Sequence, residues 1–101
     1  MKFAIFLPGS WADKDTVHQS RIYGEILEQA QYAEELGFES LWIAEHHSSR
    51  YGILPSLMPI LAHIAAQTKT IRLGAGGRVL PFHPPVRLAE GAALVAGRKV
   101  R

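Results

Sequence analysis

The stretch Trp42-Ile43-Ala44-Glu45-His46-His47 joins an apolar run to a carboxylate and two adjacent imidazoles. The unperturbed imidazole pKa, about 6.5, lies near neutral pH, so a Glu-His-His cluster suits proton transfer or ligand contact. It suits a polar turn in solvent as well. Adjacent residues on an extended backbone point opposite ways. Only one of the two histidines can then face a given pocket, while the other packs or orients a neighbour. Two adjacent histidines do not comfortably chelate one metal, and neither H-x-x-x-H nor H-x-x-E-H occurs, so no metal is expected.

Other segments could contribute. Gly74-Ala75-Gly76-Gly77 lacks the G-x-G-x-x-G spacing and any following G-K-[ST], so it is not a nucleotide phosphate loop. Its bare backbone would let a flat ligand approach, or it simply ends or bends a strand. Phe82-His83-Pro84-Pro85 forms a rigid loop in which His83 is either a ligand contact or a structural or solvated residue. Glu90 belongs to a solvated helix face or to the lid of a pocket. His18 is assigned to a loop, His63 to a helix surface and Trp42 to the core.

The elements that must position these residues follow from hydrophobic pattern. Phe3 to Leu7 is an apolar run closed by Pro8-Gly9, which reads as a buried strand. Ser10 to Gln19 is polar and reads as a loop. Ile22, Ile26, Ala30, Ala33 and Leu36 recur at helical spacing, and Gly37 stands where helices commonly stop. Leu41 to Ala44 is the second strand. Ser56 is an N-cap candidate for a helix whose face is Leu57, Ile60, Leu61 and Ile64, with Pro59 tolerated in its first turn. Thr70 to Leu73 is the third strand. Pro84-Pro85 opens a third helix carrying Val86, Leu88, Ala89, Ala92 and Ala93. The order is β-α-β-α-β-α with strands roughly 30–40 residues apart, the spacing of βα units in a parallel sheet. Such sheets place their sites at the C-terminal ends of the strands. Those ends carry Pro8, then Glu45-His46-His47, then Gly74 to Gly77, all on one rim.

Composition bounds the reading. The 101 residues are 48% hydrophobic and 20% charged, as in an ordinary globular domain rather than a disordered chain. A net charge of +2 with scattered basic residues gives no nucleic-acid footprint. With no cysteine, thiolate catalysis and disulfides are excluded. No apolar run approaches the ~18 residues of a membrane span and no signal peptide is evident, so a soluble cytoplasmic protein is expected.

Three segments together resemble the N-terminal part of the bacterial luciferase-like flavin-dependent monooxygenases. They are Glu34-Glu35-Leu36-Gly37-Phe38-Glu39-Ser40-Leu41-Trp42-Ile43-Ala44-Glu45-His46-His47, Thr68-Lys69-Thr70-Ile71-Arg72-Leu73-Gly74, and Val79-Leu80-Pro81-Phe82-His83-Pro84-Pro85-Val86-Arg87-Leu88-Ala89-Glu90. The match runs over roughly residues 1–95, with order and spacing kept. It implies an α/β fold, the first three βα units of a (β/α)8 TIM barrel. It also implies an enzyme that uses reduced FMN and O2 to oxidise a small organic substrate; a sister branch uses a deazaflavin for hydride transfer. By the same resemblance, His46 matches the family's general acid/base at the reduced flavin. Gly76-Gly77 matches its non-prolyl cis peptide under the flavin ring, expected cis in a flavin-bound full barrel and free to relax to trans in this chain. Ala75, Gly76, Gly77 and Glu90 are the implied cofactor-binding positions.

A TIM barrel needs eight units and about 250 residues. The family continues with an S-G-G-R-type turn and a strand bearing a phosphate-binding arginine, from which Leu94 to Arg101 departs. The chain, residues 1–101, is therefore expected to be a truncated N-terminal part of the barrel. Alone it should bind FMN weakly or not at all and form a homo-oligomer through open sheet edges and inward-facing Ile, Leu and Phe. Two other readings stay open: a non-catalytic fragment that persists by self-association, and a small doubly wound α/β ligand-binding domain.

Overall fold

A computed structural model describes residues 1–10, 19–48, 51–77 and 79–99; His18 and most of the loop after Ser10 lie outside the described residues. Strand β1 is Ala4–Leu7, helix α1 Gln19–Glu35, strand β2 Ser40–Ala44, helix α2 Leu57–Gln67, strand β3 Arg72–Gly77 and helix α3 Pro85–Lys99. A single 3-10 turn, Leu80–Phe82, precedes α3. The three strands form one parallel sheet in the order β1-β2-β3. This is the expected βα succession, three units of a partial barrel. Among the described residues no helix is long and apolar enough to cross a membrane.

The period-3.6 pattern of α1 buries Ile22, Ile26, Ala30 and Ala33. Leu36 lies beyond the helix end and is exposed. Gly37 follows with a positive φ of 83°, the stop conformation glycine accepts without a steric penalty. Ser56 caps α2 in position only, with an extended backbone and no side-chain hydrogen bond. The core lies between the sheet and the first two helices: Leu41, Ile43, Leu54, Leu57, Ile64 and Ile71 are fully buried. Each such side chain contributes about 1.5–3 kcal/mol by leaving water. No described side chain of α3 is buried; its nearest attachments are Gly91 against Met58 and Val95 at the core edge.

Three expectations need correction. The third strand extends through Gly77 rather than ending at Leu73, because the glycines continue the ladder with β2. Their lack of side chains answers a packing demand. A methyl built on Gly74 would stand 2.4 Å from the Trp42 ring, and one on Gly76 3.2 Å from the Phe6 ring. Secondly, Trp42 is not core: it and Phe6 are 42% and 49% exposed on the sheet face away from the helices. Thirdly, that open face is not built of Ile and Leu. Leu7, Leu41 and Ile43 alternate onto the helix side, leaving Phe6, Trp42 and glycine on the other.

Glu34, in the last turn of α1, fastens the entry to β3. Its carboxylate accepts from the backbone N–H groups of Lys69, Thr70 and Ile71 at 2.6–3.0 Å, and from the Thr70 hydroxyl at 3.3 Å. Burial would raise its pKa, but these donors together hold it below the ordinary value of 4.5. A carboxylate near a helix C-terminus opposes the macrodipole, so the bonds to the next turn are what keep it there. Charge-assisted bonds of this kind are worth about 1.5–3 kcal/mol, discounted here for partial exposure. Glu34→Ala is expected to lower stability at pH 7 by ~1–2 kcal/mol. Because the folded pKa is depressed, that contribution is present above 4.5 and lost as pH falls through the folded value. Urea titrations of both proteins should therefore differ at pH 7, the gap narrowing below 4.5 and closing only once pH has fallen through the depressed folded value; a gap that stays equal throughout would disprove the ionic role.

Candidate functional site

Strand β2 shifts register between Ile43 and Ala44, so that Ala44 pairs with Gly77 rather than Gly76. The ladder then runs one residue past the strand, with Glu45 N–H donating to Gly77 C=O at 2.9 Å. This turns the Glu45 side chain inward, where the residue is only 5% exposed. A buried carboxylate requires partners. His47 Nε2 lies 2.7 Å from Oε1, and His83 Nε2, from the loop before α3, lies 2.8 Å from both oxygens. Burial pushes the Glu45 pKa up; the bonds from His47 and His83, the charge of His83 and the Val79 N–H outweigh it and hold the group below 4.5. Glu45 is thus an anion held between two imidazoles. The His47 ring also stands edge-on to Phe82, centroids 4.8 Å apart.

His46 goes the other way, as alternation requires. Its N–H donates to Leu54 C=O at 3.0 Å, and its ring meets Tyr51 edge-on at 4.9 Å. Its Nδ1 is buried without a hydrogen-bond partner. The ring fits because residue 52 has no side chain: a methyl there would stand 2.6 Å from Nδ1 and 2.9 Å from the Pro8 carbonyl. The segment around Gly52 is itself fixed across the rim. Ile53 N–H donates to Gly9 C=O, Tyr23 Oη donates to Ile53 C=O at 2.8 Å, and Ser10 Oγ donates to Tyr51 C=O at 2.6 Å.

The remaining expected site residues are spread out. Gly76 lies beneath Phe6, while a Cβ added at Gly77 would meet only open space. Ala75 turns its methyl to the opposite side, into an apolar cleft with Met58, Leu61, Leu73 and Val95. Glu90 is exposed on α3. The described residues contain no cis peptide bond, so Gly76–Gly77 is trans here. His63 is exposed on α2, as expected. Sequence reasoning left His83 between ligand contact and structural residue and did not pair it with Glu45. The signal available was chemical, since a buried carboxylate at one strand exit needs donors from the next. Gly52 gave no signal.

Gly52→Ala is expected to displace the His46 ring, since the Pro8 carbonyl behind the new methyl is backbone and cannot swing aside. Overpacking of this kind typically costs about 1–3 kcal/mol. The check is nuclear Overhauser contact between the His46 and Tyr51 rings, which should disappear while the Phe82–His47 contact persists; retention of both would show that the pocket yields.

The sequence of this chain matches, over residues 1–97, the family model described as luciferase-like monooxygenase. It is 35% identical over 94 residues to the oxygenase component of the flavin-dependent trigonelline monooxygenase of Acinetobacter baylyi, covering 93% of this chain and 26% of that protein. Monooxygenase RslO1 of Streptomyces bottropensis superposes with a TM-score of 0.86 at 31% identity, over 97% of this chain and 30% of that one. The oxygenating constituent of 3,6-diketocamphane monooxygenase of Pseudomonas putida, solved with FMN, shares the fold at TM-score 0.86 and 21% identity, over 97% of this chain and 26% of that one. The chain thus spans between a quarter and a third of the length of these relatives. With the rim geometry, the parallel βα order and a match over nearly the whole chain in agreement, the protein belongs to the luciferase-like monooxygenase family.

Proposed function

We propose that this chain forms the N-terminal units of a cytoplasmic flavin-dependent monooxygenase, in which reduced FMN and O2 oxidise a small organic substrate. The observation that carries the reading is His46: an imidazole with a buried, unpartnered Nδ1, held at the exit of β2 beside a strand made largely of bare backbone. The named relatives are flavin-dependent in one case and FMN-bound in another, which supports a flavin over other cofactors.

The residues present fit such a group. Open space over Gly77 leaves backbone accessible to a flat ring, and the bond from Glu45 N–H pins the Gly77 carbonyl. The half-exposed Phe6 and Trp42 rings lie on the strand face shared with Gly74 and Gly76. Reduced FMN, when bound, supplies the electrons that activate oxygen. His46 would exchange a proton with the reacting centre as general acid/base. Ala75 would contribute only its backbone, because its methyl faces the helices. Glu90 is assigned by family resemblance, on a helix that leaves it free to turn toward a ligand. Among the described residues β1 and β3 each pair only with β2, and these open edges support self-association of the chain on its own.

The test replaces the corresponding segment of the trigonelline oxygenase component with residues 1–97 and measures turnover with reduced FMN. His46→Ala is expected to lower kcat by about 10²–10⁴, and His47→Ala by far less. Equal losses would remove His46 from the acid/base role. Turnover with a reduced deazaflavin and none with FMN would move the chain to the hydride-transfer branch.

A further inference from the structure

The geometry points to Glu45 and His83 as positioning residues. The buried carboxylate, gripped by His47 and His83, locks the exit of β2 so that His46 is aimed to the opposite side. The inference deepens the reading of His46 as acid/base and rests on it for its functional meaning.

An ionised carboxylate only accepts hydrogen bonds. Both Nε2 atoms within 2.8 Å of Glu45 must therefore carry hydrogen and donate. That fixes an N–H at Nε2 on both His47 and His83 and engages both as donors. Neither ring can then lend Nε2 to a substrate without leaving the buried Glu45 anion short of a donor, which is costly. His46 is the histidine of this rim whose ring is not committed to the carboxylate.

The same bonds also constrain the cluster mechanically. His83 comes from 38 residues away and bonds both carboxylate oxygens, so it fixes the plane of the carboxylate. The carboxylate fixes His47, and the Glu45 and His46 amides are bonded to Gly77 and Leu54 on opposite sides. His46 thus sits between two anchored neighbours, one held by its side chain and one by both side chain and amide. Its ring direction follows from theirs, which accounts for an Nδ1 buried with no bond of its own. A positioned group retains its orientation only when the shell behind it is locked.

The test is proton NMR of the full chain labelled with ¹⁵N at histidine. In the parent protein two imidazole N–H protons, assigned to Nε2 of His47 and His83, are expected to exchange with water at least about tenfold more slowly than that of the exposed His63. Glu45→Ala should abolish both signals and weaken the His46–Tyr51 ring contact. Should that variant fail to fold, a second pair decides. His83→Gln still presents an N–H to the carboxylate and should preserve the His47 signal and the His46–Tyr51 contact; His83→Ala should lose both. Fast exchange of His47 and His83 in the parent, or a His46–Tyr51 contact unchanged in His83→Ala, would overturn the proposal. None of these readings uses flavin. A chain that keeps the protected protons but whose His46→Ala graft loses no turnover would refute the flavin role alone, and the reverse would refute the lock alone.

Discussion

Strand β2 is hydrogen-bonded along both edges, and the register shift at Ile43 and Ala44 carries that pairing onto Glu45. The rest of the rim hangs from this continuation. Glu45 is tied to the end of β3 through Gly77, His46 to Leu54, and Ile53 to Gly9 just past β1. The short run from Tyr51 to Leu54 therefore stitches the exits of β1 and β2 together, and Tyr23 adds α1 to the same seam. Backbone polar groups that would otherwise be stranded at the strand ends are satisfied by each other. The consequence is a rim held mainly by backbone-to-backbone bonds, and a fixed backbone is what orients a short side chain.

Polar side chains are used sparingly but at decisive places. Two half-buried or buried carboxylates each gather donors from a distant segment: Glu34 from the approach to β3, Glu45 from the loop that follows it. Both are depressed in pKa against the opposing pull of burial, so both are anions in the folded chain near neutral pH. They differ in what they hold. Glu34 accepts from backbone and resists only unfolding. Glu45 accepts from imidazoles, whose own chemistry is constrained by the bond. One motif of physics, a carboxylate that must be satisfied, fastens the fold at the bottom of the strand and the site at the top.

Much of this was legible in the residues. The parallel order and the strand-exit location of Glu45, His46 and His47 follow from apolar runs interrupted at regular spacing, because burial on one sheet face and one helix stripe leaves a pattern. The divergence of His46 and His47 follows from alternation. What the pattern could not give was pairing across distance. The bond of His83 to Glu45 depends on two loops meeting after the sheet is assembled, and the need for glycine at position 52 depends on where a ring comes to rest. The extension of β3 through Gly77 was hidden for a related reason. Glycine weakens a strand locally, and only the bulk of Trp42 and Phe6 overhead explains why side chains are absent there.

The two faces of the sheet carry opposite designs. Toward the helices, aliphatic side chains interlock into a closed core with Leu41 and Ile43 at its centre. On the other face two aromatic rings alternate with glycines, large against small, the complementarity by which side chains from neighbouring strands fill a barrel interior in layers. Phe6 pairs with Trp42 in register and Trp42 with Gly74; the Trp42 ring covers Gly74, and the Phe6 ring reaches across to Gly76. That arrangement orders the open face along the strands, but it does not remove the rings from water. The helix-facing side chains are buried in the core, whereas the aromatic face would reach full burial only against further strands or another molecule. The strand exits lie at the boundary of these two faces, with rigid backing from the core side and, on the other, the half-exposed rings of Phe6 and Trp42.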